Sequence, residues 1–413
     1  MDKRILIFAL FIVFCTGVPV MAQTWERQNS GTTDDLRGVT FTDSLHGWVV
    51  GGGSNGGSFF YTTDGGTTWA PEPQHARSGL TRVSFTSPQS GWAVGPGGLI
   101  LHTSDGHLWG YQDSSLNSGG LDVAFLDNNT GWTVGDLVND TSRVLHTTDG
   151  GATWMAQPLG PVGILKGVVF VDAEDGWAVG YPGLIMHTTN GGNTWAQQTC
   201  TYSGPLFDGA FTDNNTGWLV GYAGAIVHTT NGGTTWTEQT GGNNHYLAAA
   251  AFTDSNTGWI VGDGGTILHT VNGGSSWVGQ PSGTTQFLSD VTFLNSGMGW
   301  AVGNGGTILR YRAPLADVTN HPSVLPGDFY LEPNFPNPFN PGTTLRFGVP
   351  QASEVSLEVF DLMGRKVTTL YSGIAQPGVH AVTWTCPGCA SGTYLARLRY
   401  AGHALHQPML LIK

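Results

Sequence analysis

Charge is scarce in this sequence: Asp, Glu, Lys and Arg make up 11% of its 413 residues. Basic residues are scarcer than acidic ones, 16 against 29. Residues 23–312 hold 22 acids and 8 bases, a net charge of −14. A surface of that sign repels phosphate backbones, which argues against a nucleic-acid partner. Cysteine is equally thin, with four residues. Cys200 stands alone, and Cys386-Pro387-Gly388-Cys389 could close a small disulfide loop in an oxidising compartment. A redox pair at that spacing needs a helix N-terminus to acidify one thiol, and this stretch is strand-rich. Beyond residue 14 no apolar run approaches the roughly 20 residues of a membrane-spanning helix.

What is abundant is glycine, with 63 residues, spread among aromatic and β-branched residues. That mixture, poor in helix formers, predicts short strands joined by many turns. The N-terminus reads differently. Lys3 and Arg4 precede an apolar run from Ile5 to Phe14, and Val20-Met21-Ala22 forms a small-residue cleavage site before Gln23. Residues 1–22 are therefore expected to be a secretory signal peptide. Phe14 stands before Cys15 where a lipoprotein signal needs a small residue, so the exported chain is expected to be unlipidated.

Three aromatic markers repeat along residues 23–312. One tryptophan series follows a glycine: Trp48, Trp92, Trp132, Trp177, Trp218, Trp259 and Trp300. A second comprises Trp25, Trp69, Trp109, Trp154, Trp195, Trp236 and Trp277. Between them fall Phe41, Phe85, Phe125, Phe170, Phe211, Phe252 and Phe293. The second series precedes the next Phe by 16 residues, and Phe precedes the glycine-linked Trp by 7, in all seven copies. Such constancy describes one supersecondary unit of about 41 residues, and four short strands per unit of that length predict a β-propeller blade. The chain opens on the end of a unit and closes residues 287–312 on the beginning of one. An all-β, seven-bladed propeller closed by the N-terminal strand follows, with no free sheet edge.

Most units carry a turn such as HTTNGGTTW at 228–236. The pattern Thr229-x-Asn231-x-Gly233-x-Thr235-Trp236 resembles the Asp-box, or BNR, repeat of sialidase-like propellers. Residues 24–312 as a whole resemble the photosystem II assembly and stability factor family of seven-bladed propellers. The motif is specific for fold rather than activity. Asp64, Asp105, Asp149, Asn190, Asn231 and Asn272 are expected to accept backbone N–H groups within their own turns, a structural role repeated between the third and fourth strands. His102, His146, His187, His228 and His269 recur once per unit, so they diverge around a ring and form no metal site. The Asp-Asn-Asn-Thr-Gly runs at 127–131 and 213–217 lack the closing Glu of a calcium loop. No metal or cofactor is expected.

Function should lie where the repetition breaks. Two units carry longer loops between their second and third strands, GGSNGG at 52–57 and DLVNDTS at 136–142. Asn55, Asp136, Asn139 and Asp140 are the candidate contact residues there. Three residues before the Phe marker the sequence varies: Gly38, Arg82, Asp122, Gly167, Asp208, Ala249 and Asp290. One residue earlier stand Arg37 and Lys166. Arg37, Arg82, Asp122, Lys166, Asp208 and Asp290 are thus expected at one mouth of the central channel. A glycosidase needs two carboxylates across a pocket, which these aspartates could supply. A sialidase needs an arginine cluster as well, and only seven arginines lie in residues 23–312.

After a linker at 313–327 the register disappears. Residues 328–413 alternate as strands of a small β-sandwich. Asn337, Pro338, Phe339, Asn340 and Pro341, with Gly364, Tyr394 and the terminal Lys413, resemble the type A C-terminal sorting domain of type IX secretion substrates, an FlgD-like Ig fold. The resemblance implies a periplasmic passage, recognition by the type IX machinery and release or attachment at the cell surface. The sequence therefore reads as a secreted or cell-surface propeller, a non-catalytic module binding protein or glycan through its loop-bearing face. A sialidase-like glycoside hydrolase and an assembly factor for a membrane protein complex are the alternatives.

Overall fold

A computed structural model describes residues 24–312 except 54–55, 73–75, 114–119, 139–140, 161–162 and 243. It also describes 329–412 except 333, 335–336, 338, 340–341, 362, 387 and 401–402. The expected signal peptide and linker lie outside the described residues. The chain divides into two compact units, Met1–Pro314 and Leu315–Lys413.

The first unit is built of four-stranded antiparallel sheets, numbered here I to VII. Sheet I runs Asp35–Phe41, Gly47–Gly53, Gly56–Thr62 and Ala70–Pro71, each strand pairing with the next. The first, inner strands of sheets II to VII are Arg82–Phe85, Gly120–Phe125, Ile164–Phe170, Leu206–Phe211, Leu247–Phe252 and Leu288–Asn295. Sheet VII takes its outer strand from the start of the chain: Thr24–Gln28 pairs with Thr307–Arg312. Inner strands pack one on the next in chain order, and that of sheet VII packs on that of sheet I. The arrangement is propeller-like.

The aromatic markers meet at the seams. Each glycine-linked Trp stacks on the Phe of the following sheet, from Trp48 on Phe85 at 3.7 Å to Trp300 on Phe41 at 3.4 Å. That Phe meets the box Trp of its own sheet edge-on, as Phe211 does with Trp236 at 6.1 Å. The glycine before each marker Trp is required locally, because any side chain there would overlap the Phe ring of its own sheet. The histidine column completes the stack. His102, His146, His187, His228 and His269 lie directly across from the marker Trp of the same sheet, with ring centroids 4.5–4.7 Å apart. In sheet VII the cross-strand partner is Arg310, over the Trp300 ring at 5.6 Å.

The Asp-box turns reach across the same seams. Asp64 Oδ1 accepts from the Thr68 backbone N–H at 2.9 Å, and Asp149, Asn190, Asn231 and Asn272 repeat that bond in their own turns. In the shortened copy, Asp105 Oδ1 accepts from the N–H groups of His107 and Leu108 instead. The glycine after the box Asp or Asn then exposes its carbonyl to the preceding sheet. The indole N–H of Trp48, Trp92, Trp132, Trp218 and Trp300 donates to Gly106, Gly150, Gly191, Gly273 and Gly65 at 3.0–3.3 Å. The indoles of Trp177 and Trp259 find no such acceptor; sheet V carries a box opposite Trp177, whereas sheet VII, which begins its outer strand at the chain start, carries none opposite Trp259.

The second unit pairs a three-stranded sheet, Tyr330–Leu331, Gly342–Val349 and Gly378–Thr385, with a four-stranded one. The latter has the order Lys366–Ala375, Ser353–Asp361, Gly392–Tyr400 and His403–Leu411. Their shared core includes Phe339, Phe347, Leu357, Trp384, Leu398 and Met409. The Asn337 carboxamide oxygen accepts from the Leu410 N–H at 2.8 Å, and Phe339 bonds the backbone of Leu410 and Ile412. Gly364 adopts φ +76° in the turn that follows Ser353–Asp361. The Tyr394 hydroxyl donates to the Ala390 carbonyl at 2.8 Å. Cys386 and Cys389 form a disulfide. Pro338, Asn340, Pro341 and Lys413 lie outside the described residues.

Candidate functional site

In six sheets the inner strand skips one residue of its pairing just before the variable position. The skipped residues are Arg37, Leu121, Lys166, Phe207, Ala248 and Ser289. A bulge re-aims its side chain out of the sheet. All six, with Thr81 of sheet II, line a single cavity of about 420 Å³ at the convergence of the inner strands. Arg82, Tyr246 and Phe287 line it too, beside Asn304 and Asp35 near the turns between second and third strands. Phe207 stacks on Tyr246 at 4.1 Å, and Tyr246 meets Phe287 edge-on at 5.4 Å.

Of the candidate residues named from sequence, Arg37, Arg82 and Lys166 come together at this cavity. The three aspartates do not line it. Each instead reaches the inner strand of the following sheet. Asp122 Oδ2 accepts from Val168 N–H at 2.8 Å, Asp208 Oδ2 from Ala250 N–H at 3.0 Å and Asp290 Oδ2 from Val39 N–H at 2.9 Å. These carboxylates staple seams, a role that their expected place at the channel mouth did not include. Arg82 is their shared counter-ion. Its Nε lies 3.6 Å from Asp122 Oδ1, and its Nη1 donates to the Arg37 carbonyl at 2.8 Å. Asn55, Asn139 and Asp140 lie outside the described residues, as does the Asp136 side chain.

Burial disfavours the charged form of all three carboxylates, and Arg82 opposes the shift. Asp208 is pushed up to about 7, by its burial first, against the pull of Arg82, and then by the like charge of Asp122 and Asp290. Its folded-state value is therefore raised, and between about pH 4 and 7 the folded chain binds the extra proton. The stability contributed by that proton is complete below the ordinary Asp range and is lost as pH rises through 7. Asp208→Asn is expected to raise the thermal midpoint at pH 8 by the equivalent of about 1–2 kcal/mol after a discount for solvent screening, by less at pH 5, and to leave it unchanged only near pH 3, below the ordinary Asp range. Thermal melts of both proteins across that range check this. Equal slopes would show that Asp208 is ionised throughout. The turn carboxylates act in a separate window: backbone N–H donors hold Asp105, Asp127, Asp172 and Asp213 below the usual range, so their contribution is lost only at lower pH.

One column escaped the sequence reading. The third residue after each box-series Trp is glutamine at positions 28, 112, 157, 198, 239 and 280. Gln28 Oε1 accepts from the indole of Trp69 in the following sheet at 3.2 Å, and Gln112, Gln198, Gln239 and Gln280 act alike. Sheet I departs from this with buried Glu72, whose Oε1 lies 2.6 Å from Nδ1 of His107 in the shortened box. Counting columns beyond the aromatic ones would have exposed both.

Residues 19–111, 106–205, 197–281 and 243–312 each match the family described as photosynthesis system II assembly factor YCF48. The photosystem II assembly lipoprotein Ycf48 of Picosynechococcus sp. is 29% identical over 173 residues, covering 40% of this chain and 49% of the relative. The chain spans about half the length of the curated relatives it matches. Among solved structures, YCF48 bound to D1 peptide is similar with a TM-score of 0.59 at 24% identity, covering 72% of this chain and 99% of that one. PorZ, a surface component of the type-IX secretion system of Porphyromonas gingivalis, has a TM-score of 0.53 at 12% identity and covers 94% of this chain and 60% of its own. Both likenesses speak to the fold. No helix among the described residues is long and apolar enough to cross a membrane. The chain belongs to the photosynthesis system II assembly factor YCF48 family.

Proposed function

We propose that this chain is an exported seven-bladed propeller, closed by its N-terminal strand, that assists the assembly or stability of a membrane protein complex by binding a protein segment of one subunit. The observation that carries the reading is the family match across residues 19–312, joined to a cavity lined from every sheet of the ring. The related YCF48 structure holds a peptide, which makes a protein segment the better-supported ligand than a glycan. The bound segment lies on the face that bears the turns between second and third strands, the connections that the sequence lengthens at 52–57 and 136–142. Residues 328–413 act as an Ig-like sorting domain of the type IX kind. Their motif residues Asn337, Phe339 and Tyr394 hold the sandwich together from its ends.

Deletion of the gene should deplete one envelope complex and accumulate a subcomplex lacking a late subunit. Native gel electrophoresis of solubilised envelopes reads both. Unchanged complexes in the deletion strain would rule out the assembly role.

A further inference from the structure

We infer that the cavity accepts a carboxylate flanked by an aromatic or aliphatic group, and that this is the element of the bound segment the propeller reads. The inference rests on the protein-binding function proposed above. Its starting point is an imbalance of charge. Residues 23–312 contain 22 acids and only 8 bases, yet three of the eight bases, Arg37, Arg82 and Lys166, line this one cavity. Asp35 is the single acid lining it, and its Oδ1 already accepts from the Gly305 N–H at 3.1 Å.

Two of the three cations have no acidic partner among the described residues. Arg37 and Lys166 are half-buried and make no ion pair among the described residues, while the Arg82 guanidinium is anchored to the Arg37 carbonyl and Asp122. Sheets I and IV stand three steps apart around a ring of seven, so Arg37 and Lys166 approach from nearly opposite sides. Between them, on the arc of sheets V to VII, run the rings of Phe207 and Tyr246, stacked, and of Phe287, edge-on to Tyr246. That arc gives the ligand an apolar flank. A volume of about 420 Å³ suits one or two side chains, at the small end of ligand pockets. Depth is limited electrostatically. The three seam carboxylates around Arg82 repel an anion that moves past it, so the ligand's charge stays at the rim, where partial desolvation strengthens its contacts.

The test uses the full exported chain and two pairs of probes in ligand-observed NMR titrations at low salt. N-acetylphenylalanine is compared with its amide, and the end-blocked peptide GGEFGG with GGQFGG. Each acid should bind at least about tenfold more tightly than its neutral twin, and salt should erode the difference. In the Arg37→Gln/Lys166→Gln variant, whose altered side chains make no ion pair among the described residues, the preference should collapse to about twofold or less. Preference for the free acid alone would assign the site to a small carboxylate; preference in both pairs assigns it to an acidic side chain of a segment. Equal binding of acid and neutral probes, no binding of either, or an undiminished preference in the double variant would overturn the inference. The two proposals fail separately. If the double variant still restores the envelope complex in the deletion strain, the assembly role stands without this cavity. If the probes behave as expected but the deletion strain is normal, the cavity chemistry stands without that role.

Discussion

Trp25→Ala is expected to lower the thermal midpoint of the propeller unit by about 6–15 °C, the counterpart of about 3–5 kcal/mol for truncating a buried tryptophan. Trp25 is 6% exposed, lies against Tyr311 and Phe293, and donates its indole N–H to Gln280 Oε1 at 2.8 Å. Those contacts are what hold Thr24–Gln28 against Thr307–Arg312, since no covalent turn joins the two strands. Trp69 occupies the same position in sheet I, where the chain itself ties the outer strand to the sheet. The informative comparison is therefore Trp25→Ala with Trp69→Ala. Both lose similar packing, but only the first should free a terminal strand and bare the edge of its neighbour. Calorimetric unfolding should broaden in Trp25→Ala alone, with new protease cleavage between residues 29 and 34. Superimposable behaviour of the two variants would show that the N-terminal strand does not close the ring.

Phe339→Ala should have its effect in the other unit. Phe339 is 1% exposed, its ring lies 5.2 Å from that of Trp384, and its backbone N–H and C=O both bond the last strand. A loss of about 3–5 kcal/mol is a large part of the stability of a unit of this size, so its sandwich should be largely unfolded at 37 °C. Near-ultraviolet circular dichroism and limited proteolysis should show that loss, while the propeller transition stays in place. If residues 328–413 are the export address, the same variant should collect in the periplasm and vanish from the cell surface. Surface display at the normal level by an unfolded second unit would separate export from this fold.

The aromatic skeleton of the propeller was legible because its markers are large, rare and held at constant spacing. The glycine before each marker Trp is explained by the Phe ring lying over it, a contact that fixes the seven-residue interval in every copy. The seam staples were not legible. Asp122 and Val168 are 46 residues apart and Asp290 and Val39 are 251 apart, so nothing local announces that a carboxylate closes on a neighbour's backbone. The same distance hid the glutamines, which sit on exposed outer strands and read as ordinary polar positions. The cations were found as a group because they break the repeat. Their aromatic companions were missed because Tyr246 and Phe287 lie in the connections before the inner strands, outside every column that was counted.

The directed seam has an implication for how such a chain can arise. Every described seam bond from a glycine-linked Trp runs from one sheet to the box of the next, and Asp122, Asp208 and Asp290 point the same way. Each unit thus carries a plug on one side and the matching socket on the other, a head-to-tail contact rather than a self-complementary one. Tandem duplication of such a unit delivers a compatible neighbour at once, with no second surface to be invented. It also means that the ends of the chain cannot be placed at will. Cutting between sheets would leave a plug and a socket as two raw faces joined by no strand. Here the break falls inside sheet VII, where pairing between strands repairs it, and the surviving trace of the cut is the box that sheet VII lacks opposite Trp259.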